Sequence, residues 1–325
     1  MRIFLLILDG VGIGETEDAG DFGDQGSATL QNALKAAGHP PLPFFEKFGL
    51  FHTFRSEGFQ FSPLASYGKM RSFAPAKDTL SGHWELMGAV RQSPPRYHPS
   101  GFSQEIIESL ERETGMQFLW GKPASGTEII QKLGETHLQT GKWILYTSAD
   151  SVMQFAVHLR VVDGQVERIY EVCRQAQMLA QKYGWVDRVI ARPFEGTPGN
   201  FVRRNDLRKD FLCLPVAPNL LQALSRTRYT LISVGKISDI FGGAFFTHKA
   251  QAHTNQEVFH QVSIYAEKDF EGLLFANFND FDTLYGHRND ALGFVRALQW
   301  LDEKFPALME KFTPDDLLFV TSDHG

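Results

Sequence analysis

Six apolar runs rich in β-branched and aliphatic residues punctuate the chain, at residues 3–8, 143–146, 188–191, 230–234, 273–278 and 317–321. None alternates strictly between apolar and polar positions, and the segments between them carry helical periodicity. This pattern predicts parallel strands buried on both faces by helices. Val295, Leu298, Leu301, Phe305 and Leu308 recur at three- or four-residue steps. They predict a helix that lays one stripe on the sheet, kinked at Pro306. The first run closes on Asp9 rather than on a small-residue cleavage site, so it reads as a buried strand and not as a secretion leader. No run reaches the ~18 apolar residues that a membrane-spanning helix needs. No membrane partner is expected, and the cytoplasm is the default location.

Prolines mark two interruptions. Pro94, Pro95 and Pro99 crowd one stretch, and Pro215 and Pro218 another. Proline-rich bounds of this kind frame inserted domains. The expected organisation is an α/β core made of residues 1–96 and 216–325, with an α+β cap inserted at about 97–215. A chain of 325 residues has room for both.

Composition narrows the partners. Hydrophobic residues make up 43 % and charged residues 22 %, as in ordinary globular proteins. The 28 phenylalanines read as core, because Phe buries more area than an aliphatic side chain. A net charge of −6 disfavours nucleic acid, which selects a basic face. Cys173 and Cys213 fit neither a metal spacing nor a disulfide framework.

The candidate chemistry gathers where the strands end. In open α/β sheets, functional groups collect just past the carboxyl ends of strands. Asp9 follows the first run, Asp280 and Asp282 follow the fifth, and Asp323-His324 follow the sixth, with His287 close by. Carboxylates mixed with imidazoles suit Mn²⁺ or Zn²⁺, whereas carboxylates alone lean toward Mg²⁺. Two such ions a few ångströms apart would clamp a phosphoryl group in transfer. The plain alternative for each acid is a helix cap or a turn residue. Thr79, within residues 75–88, is a candidate nucleophile, although a threonine hydroxyl attacks only when a metal or base activates it. Alternatively, Thr79 or Ser81 caps a helix, with Glu85 further along it. Spacing leaves both readings open.

At this point the motifs carry a family resemblance along the whole chain. They include Asp9-Gly10-Val11-Gly12-Ile13-Gly14, Lys77-Asp78-Thr79 through Gly88, and Ser125-Gly126-Thr127-Glu128. Further on come Tyr146-Thr147-Ser148 with Asp150-Ser151-Val152, Arg188 through Phe194, and Gly235-Lys236-Ile237-Ser238-Asp239. Asp280-Phe281-Asp282 with Tyr285-Gly286-His287-Arg288 completes the set. The chain resembles the phosphopentomutases, metalloenzymes of the alkaline phosphatase superfamily. The resemblance implies an alkaline phosphatase-like core with a mostly parallel central sheet flanked by helices, plus the inserted cap. It also implies an intramolecular phosphotransferase that interconverts ribose or 2-deoxyribose 1-phosphate and the 5-phosphate, with a sugar bisphosphate as activator. Two Mn²⁺ ions are implied, one held by Asp9, Asp323 and His324 with the Thr79 oxygen reaching it, the other by Asp282 and His287. Thr79 matches the phosphoryl carrier. Ser148, Asp150, Val152, Arg188, Ile190, Arg203 and Lys236 match positions around the sugar phosphate.

Departures are few: Gly10 where Ser is usual, Asn279 where an apolar residue is usual, and Leu159 where an acid is expected. The family's second metal takes a further His beyond the Asp-His pair, and the chain stops at Gly325. The expectation is therefore a chain lacking its last segment, with that ligand and the closing strands of the core sheet. Two alternatives stand beside the mutase. One is a phosphatase or cofactor-independent phosphoglycerate mutase on the same core. The other is an inactive fragment, or a sugar-phosphate-binding protein with an incomplete metal centre.

Overall fold

A computed structural model describes residues 1–325 apart from 56, 59–62, 149 and 215–217. The strands are β1 (Arg2–Leu8), β2 (Phe118–Pro123), β3 (Trp143–Thr147), β4 (Val152–His158), β5 (Arg188–Thr197), β6 (Asn200–Arg203), β7 (Lys209–Leu212), β8 (Thr230–Val234), β9 (His248–Ala250), β10 (Gly272–Phe278) and β11 (Leu317–Thr321). The α-helices are α1 (Ala19–Phe22), α2 (Thr29–Ala36), α3 (Pro43–Lys47), α4 (Thr79–Leu86), α5 (Gln104–Thr114), α6 (Gly126–Thr140), α7 (Val166–Tyr183), α8 (Leu220–Leu224), α9 (Ile237–Ile240), α10 (Asn255–Ala266) and α11 (Ala291–Met309). They fall into two compact units, residues 1–93 with 217–325, and residues 94–216. The expected second boundary at 215–216 lies outside the described residues.

Unit 1 holds a parallel sheet in the order β11-β1-β10-β8-β9. Successive side chains of β1 serve opposite cores. Phe4, Leu6 and Leu8 pack with Leu30, Phe45, Val262, Leu298 and Phe305 from α2, α3, α10 and α11. Ile7 turns the other way, toward Trp84, Ile237, Phe241 and Phe275. Both faces of the strand are covered, which is why its sequence shows no alternation. Helix α11 continues through Pro306 to Met309. One charged clamp ties the unit together: the Arg2 guanidinium donates to both carboxylate oxygens of Asp316 and to the carbonyls of Ala266 and Lys268.

Unit 2 carries a second sheet, β2-β3-β4-β5-β6, with β7 beside β5. It is mixed rather than all-parallel: β3/β4, β5/β6 and β5/β7 run antiparallel. The runs at 143–146 and 188–191, read as parallel, thus oppose each other within the α+β cap, and the reversal has a simple cause. Only residues 148–151 separate β3 from β4, and a parallel return needs a crossover of a dozen residues or more. Helices α5 and α7 cover one face and α6 the other. Within α6, buried His137 donates from Nδ1 to the Lys142 carbonyl at 2.6 Å and accepts the His158 amide proton at Nε2, 2.9 Å away.

Candidate metal and phosphoryl-transfer site

Strands β11, β1 and β10 are parallel neighbours, so the residues that follow them emerge at one edge. Asp9 is fully buried there. The ligand-type atoms of Asp9, Asp323 and His324 all lie within 4.8 Å of one another. His324 Nε2 is 3.2 Å from Asp9 Oδ1 and 3.6 Å from Asp323 Oδ2. Thr79 joins this group: its hydroxyl donates to Asp9 Oδ1 at 3.3 Å and stands 3.2 Å from His324 Nε2. The geometry thus assembles four of the sequence-predicted residues from three distant stretches of chain.

Local structure explains why Thr79 is free. The cap of α4 is Asp78, which accepts the Ser81 amide at 3.0 Å and the Ser81 hydroxyl at 2.9 Å. Neither Thr79 nor Ser81 is the cap, because the acid one residue earlier already satisfies the helix's orphan donor. Glu85 does not close a capping box either. Its carboxylate accepts from the amides of Phe73 and Ala74 and holds the approach to the helix. The Thr79 hydroxyl is left at a helix N-terminus, where a phosphate group is favoured.

Asp282 and His287 form a second, adjacent pair, with Nε2 3.3 Å from Oδ2. Asp282 lies in a π-helical turn, Phe281–Tyr285, and His287 in the turn after it. Gly10 separates the two groups: a Cβ there would sit 3.4 Å from His324 Cε1 and 3.5 Å from Asp282 Cβ. Asp280 has another task. Its carboxylate accepts the Asn255 amide at 2.8 Å while its own amide donates to Asn255 Oδ1 at 3.0 Å, tying β10 to the start of α10.

Two buried residues at this site escaped the sequence reading. Asn277 Nδ2 donates to Asp9 Oδ2 at 2.9 Å. His83 is fully buried, with Nδ1 2.8 Å from the Thr79 carbonyl and 3.2 Å from Asp323 Oδ2. An asparagine inside an otherwise apolar strand, and a histidine four residues after the nucleophile candidate, were the available signals. The charges are strongly coupled. Burial works to lower the His324 imidazolium, but Asp9 and Asp323 outweigh it and push it up to about 10. Burial likewise opposes ionisation of Asp323, yet His83 and His324 hold it below the usual carboxylate range.

In unit 2, register pairs Val152 with Arg188 and Gln154 with Ile190, while Tyr146 faces Gln154 across β3/β4. Asp150 is 4.0 Å from Arg188, which also lies 3.5 Å from Asp210. Arg203 stands against the first turn of α6: a Cβ on Gly126 would fall 1.9 Å from its Nη2 and 2.3 Å from the Tyr146 hydroxyl. Gly126 is therefore required for this approach. Arg192, given no role by sequence reasoning, adds a further positive charge near the Tyr146 hydroxyl, and its Nε donates to Gln154 at 3.1 Å. Ser148 follows β3 on the same unit. Lys236 belongs to unit 1, where it precedes α9, and is exposed.

The comparisons with known proteins bear on what this site serves. Residues 222–325 match the Metalloenzyme superfamily. Over the entire chain, a phosphopentomutase of Dictyoglomus turgidum is 45 % identical, the chain spanning 82 % of that relative. The chain belongs to the phosphopentomutase family. Phosphopentomutases of Acetivibrio thermocellus and Thermotoga petrophila are each 44 % identical over all of this chain, which covers 83 % and 84 % of their lengths. Membership in the phosphopentomutase family makes the chain an isomerase-type phosphotransferase, and its superfamily implies divalent metal. Of the predicted ligands, Asp282, His287, Asp323 and His324 fall inside the superfamily match and Asp9 outside it.

The donor set fits such an ion. Asp323 Oδ2 is buried without a hydrogen-bond partner of its own, and beside it stand a second carboxylate and an imidazole. Buried carboxylates in this arrangement are costly unless a cation compensates them.

Proposed function

We propose that this protein is a phosphopentomutase in activity as well as in family. It interconverts α-D-ribose 1-phosphate, or the 2-deoxy sugar, and the corresponding 5-phosphate. The observation that carries this reading is the Thr79 hydroxyl, at a helix N-terminus and within 3.3 Å of Asp9 and 3.2 Å of His324, in a chain similar to phosphopentomutases from end to end.

In the proposed cycle, phosphorylated Thr79 passes its phosphoryl group to the free sugar hydroxyl of a pentose monophosphate. The P–O bond at Thr79 Oγ1 breaks, a P–O bond to the sugar oxygen forms, and the sugar's hydroxyl proton ends on Thr79. The resulting bisphosphate returns its other phosphoryl group to Thr79, so the phosphate has changed position with no net hydrolysis. A pentose bisphosphate therefore serves as the activator that first loads Thr79. The N-terminus of α4 and the carboxylate of Asp9 orient the threonine oxygen for in-line transfer. Asp9, Asp323 and His324 would hold one divalent cation, Mn²⁺ by the mixed donor set, and Asp282 with His287 another. Bound there, the metals supply charge neutralisation to the transferring phosphoryl group. Ser148, Asp150, Val152, Arg188, Ile190, Arg203 and Lys236 are the proposed sugar-phosphate contacts, the arginines offering a planar fork to phosphate oxygens. Cys173 and Cys213 are both buried, and a cytoplasmic home is part of the proposal.

The test is ³¹P NMR of ribose 1-phosphate with the protein, Mn²⁺ and a trace of pentose 1,5-bisphosphate. Growth of the ribose 5-phosphate signal without inorganic phosphate is expected. Accumulation of inorganic phosphate instead would make the protein a phosphatase.

A further inference from the structure

His83 has no part in the ligand set above, yet it is the residue that joins the nucleophile to that set. Its ring is wholly buried, with one face toward Phe275 at a centroid distance of 5.7 Å. Nδ1 lies 2.8 Å from the Thr79 carbonyl and 3.2 Å from Asp323 Oδ2, and both are acceptors. Nε2 is buried with no hydrogen-bond partner. That asymmetry fixes the tautomer. A proton on Nε2 would go unsatisfied and would leave three lone-pair atoms facing one another at Nδ1, whereas a proton on Nδ1 is donated to the Thr79 carbonyl and faces the Asp323 carboxylate. The other Asp323 oxygen, Oδ1, accepts the Gly10 amide at 3.1 Å.

We propose that His83 is a positioning residue: its Nδ1–H is anchored on the Thr79 carbonyl and turns its positive end to the Asp323 carboxylate 3.2 Å away, and so sets the phosphoryl-carrying hydroxyl in register with the metal-binding carboxylate. The role rests on the phosphopentomutase reading for its catalytic consequence, but not for its effect on metal binding. Groups that orient ligand carboxylates change metal affinity about 10–100-fold when lost, and misplacing a reacting group by about 1 Å costs roughly 100-fold in rate.

Three variants separate this role from mere packing. His83→Asn places an amide N–H where Nδ1 stands, His83→Gln places one where Nε2 stands, and His83→Phe keeps a ring without a donor. Each is titrated with Mn²⁺, free ion being followed by electron paramagnetic resonance, and assayed for kcat and KM on ribose 5-phosphate. The expected order is wild type close to His83→Asn, within about 3-fold. His83→Gln and His83→Phe should lose about 10–100-fold in Mn²⁺ affinity and about 100-fold in kcat, with KM little changed. Should His83→Phe fail to fold, the Asn/Gln pair carries the comparison. Equal Mn²⁺ affinity in the Asn and Gln variants overturns the proposal, as does an Asn variant as impaired as the Phe one. A wild-type protein that ranks the variants this way in the metal titration but turns over no pentose phosphate would retire the mutase reading and leave the positioning role standing.

Discussion

Replacing Gly82 by alanine sets helix propensity against site geometry. Gly82 lies within α4, where alanine is intrinsically favoured by about 1 kcal/mol. On local grounds alone, Gly82→Ala should stabilise the protein. The structure predicts otherwise. A Cβ at position 82 would stand 2.2 Å from the Asp323 carbonyl oxygen and 2.8 Å from its carbonyl carbon, where ordinary contact begins at 3.4 Å. Both atoms are backbone, so no rotamer change relieves the clash, and either α4 or the Asp323–His324 segment must move by roughly 1 Å. Overpacking of this size costs about 1–3 kcal/mol, so after the propensity gain the net loss of stability is at most about 2 kcal/mol. That shifts the melting temperature by only a few degrees. The same displacement carries Thr79 on one side, or Asp323 and His324 on the other, out of register. A loss of about 100-fold in kcat and about 10–100-fold in Mn²⁺ affinity is expected. The assay pairs a thermal melt with mutase kinetics and a metal titration. A Gly82→Ala protein with wild-type turnover and metal affinity would refute the claim that α4 is docked on the ligand-bearing segment.

Other predictions follow from separate parts of the molecule. Burial, more than any other effect, depresses the His137 pKa below its ordinary 6.5, and the fold holds the ring neutral. The unfolded chain therefore binds the extra proton first as pH falls, so the stabilisation is complete above about pH 6.5 and declines below it. Denaturant unfolding at about pH 7.5 and about pH 5.5 should show this slope, and His137→Gln should flatten it while costing about 1–3 kcal/mol at the higher pH. Asp316 is held well below the usual carboxylate range by the Arg2 guanidinium. Its contribution is therefore intact above about pH 4 and disappears only in stronger acid. Arg2→Met, which takes the guanidinium from Asp316 and leaves it the Thr313 amide, should cost about 3 kcal/mol at neutral pH in a denaturant titration. If Arg203 is the phosphate contact proposed above, Arg203→Gln should raise KM for ribose 5-phosphate about 10-fold or more with kcat nearly unchanged, because it would remove a phosphate fork rather than a reacting group. Phe305→Ala, opening a cavity under α11, should cost about 3–5 kcal/mol by the same unfolding measurement.

How far the sequence could be read differs between the two units. Strands β1, β8 and β10 were legible because both faces are covered, and a short, continuous apolar run suits a doubly buried strand. Strand β11 carried the same kind of run although Leu317 and Phe319 are exposed, and the short, largely exposed β9 gave no signal. Asp9, Asp323 and His324 could be grouped because parallel neighbours deliver their trailing residues to one edge. Residues 143–146 and 188–191 were read as parallel strands but run in opposite directions in unit 2, through an intervening β4 that the sequence reading did not mark, since strand composition carries no orientation. Thr79 was weighed as a cap because capping propensities of Asp, Ser and Thr overlap, and only the observed bonds to Asp78 decide among adjacent candidates. Asn277 and His83 escaped for a different reason. The acids they face, Asp9 and Asp323, come from distant stretches of chain, so those contacts exist only in three dimensions. Asp280 shows the converse: it shares a motif with Asp282, but its bonds to Asn255 serve the fold.

The central claim is that phosphate travels by way of Thr79, and the most direct measurement is to find it there. The protein is incubated with Mn²⁺ and a pentose 1,5-bisphosphate, quenched and digested, and the modified residue is located by tandem mass spectrometry. The account predicts phosphate on Thr79 approaching one per chain, discharged when ribose 5-phosphate is added, and neither phosphate nor turnover in Thr79→Ala. Turnover that survives in Thr79→Ala, or phosphate carried on a different residue, would contradict it.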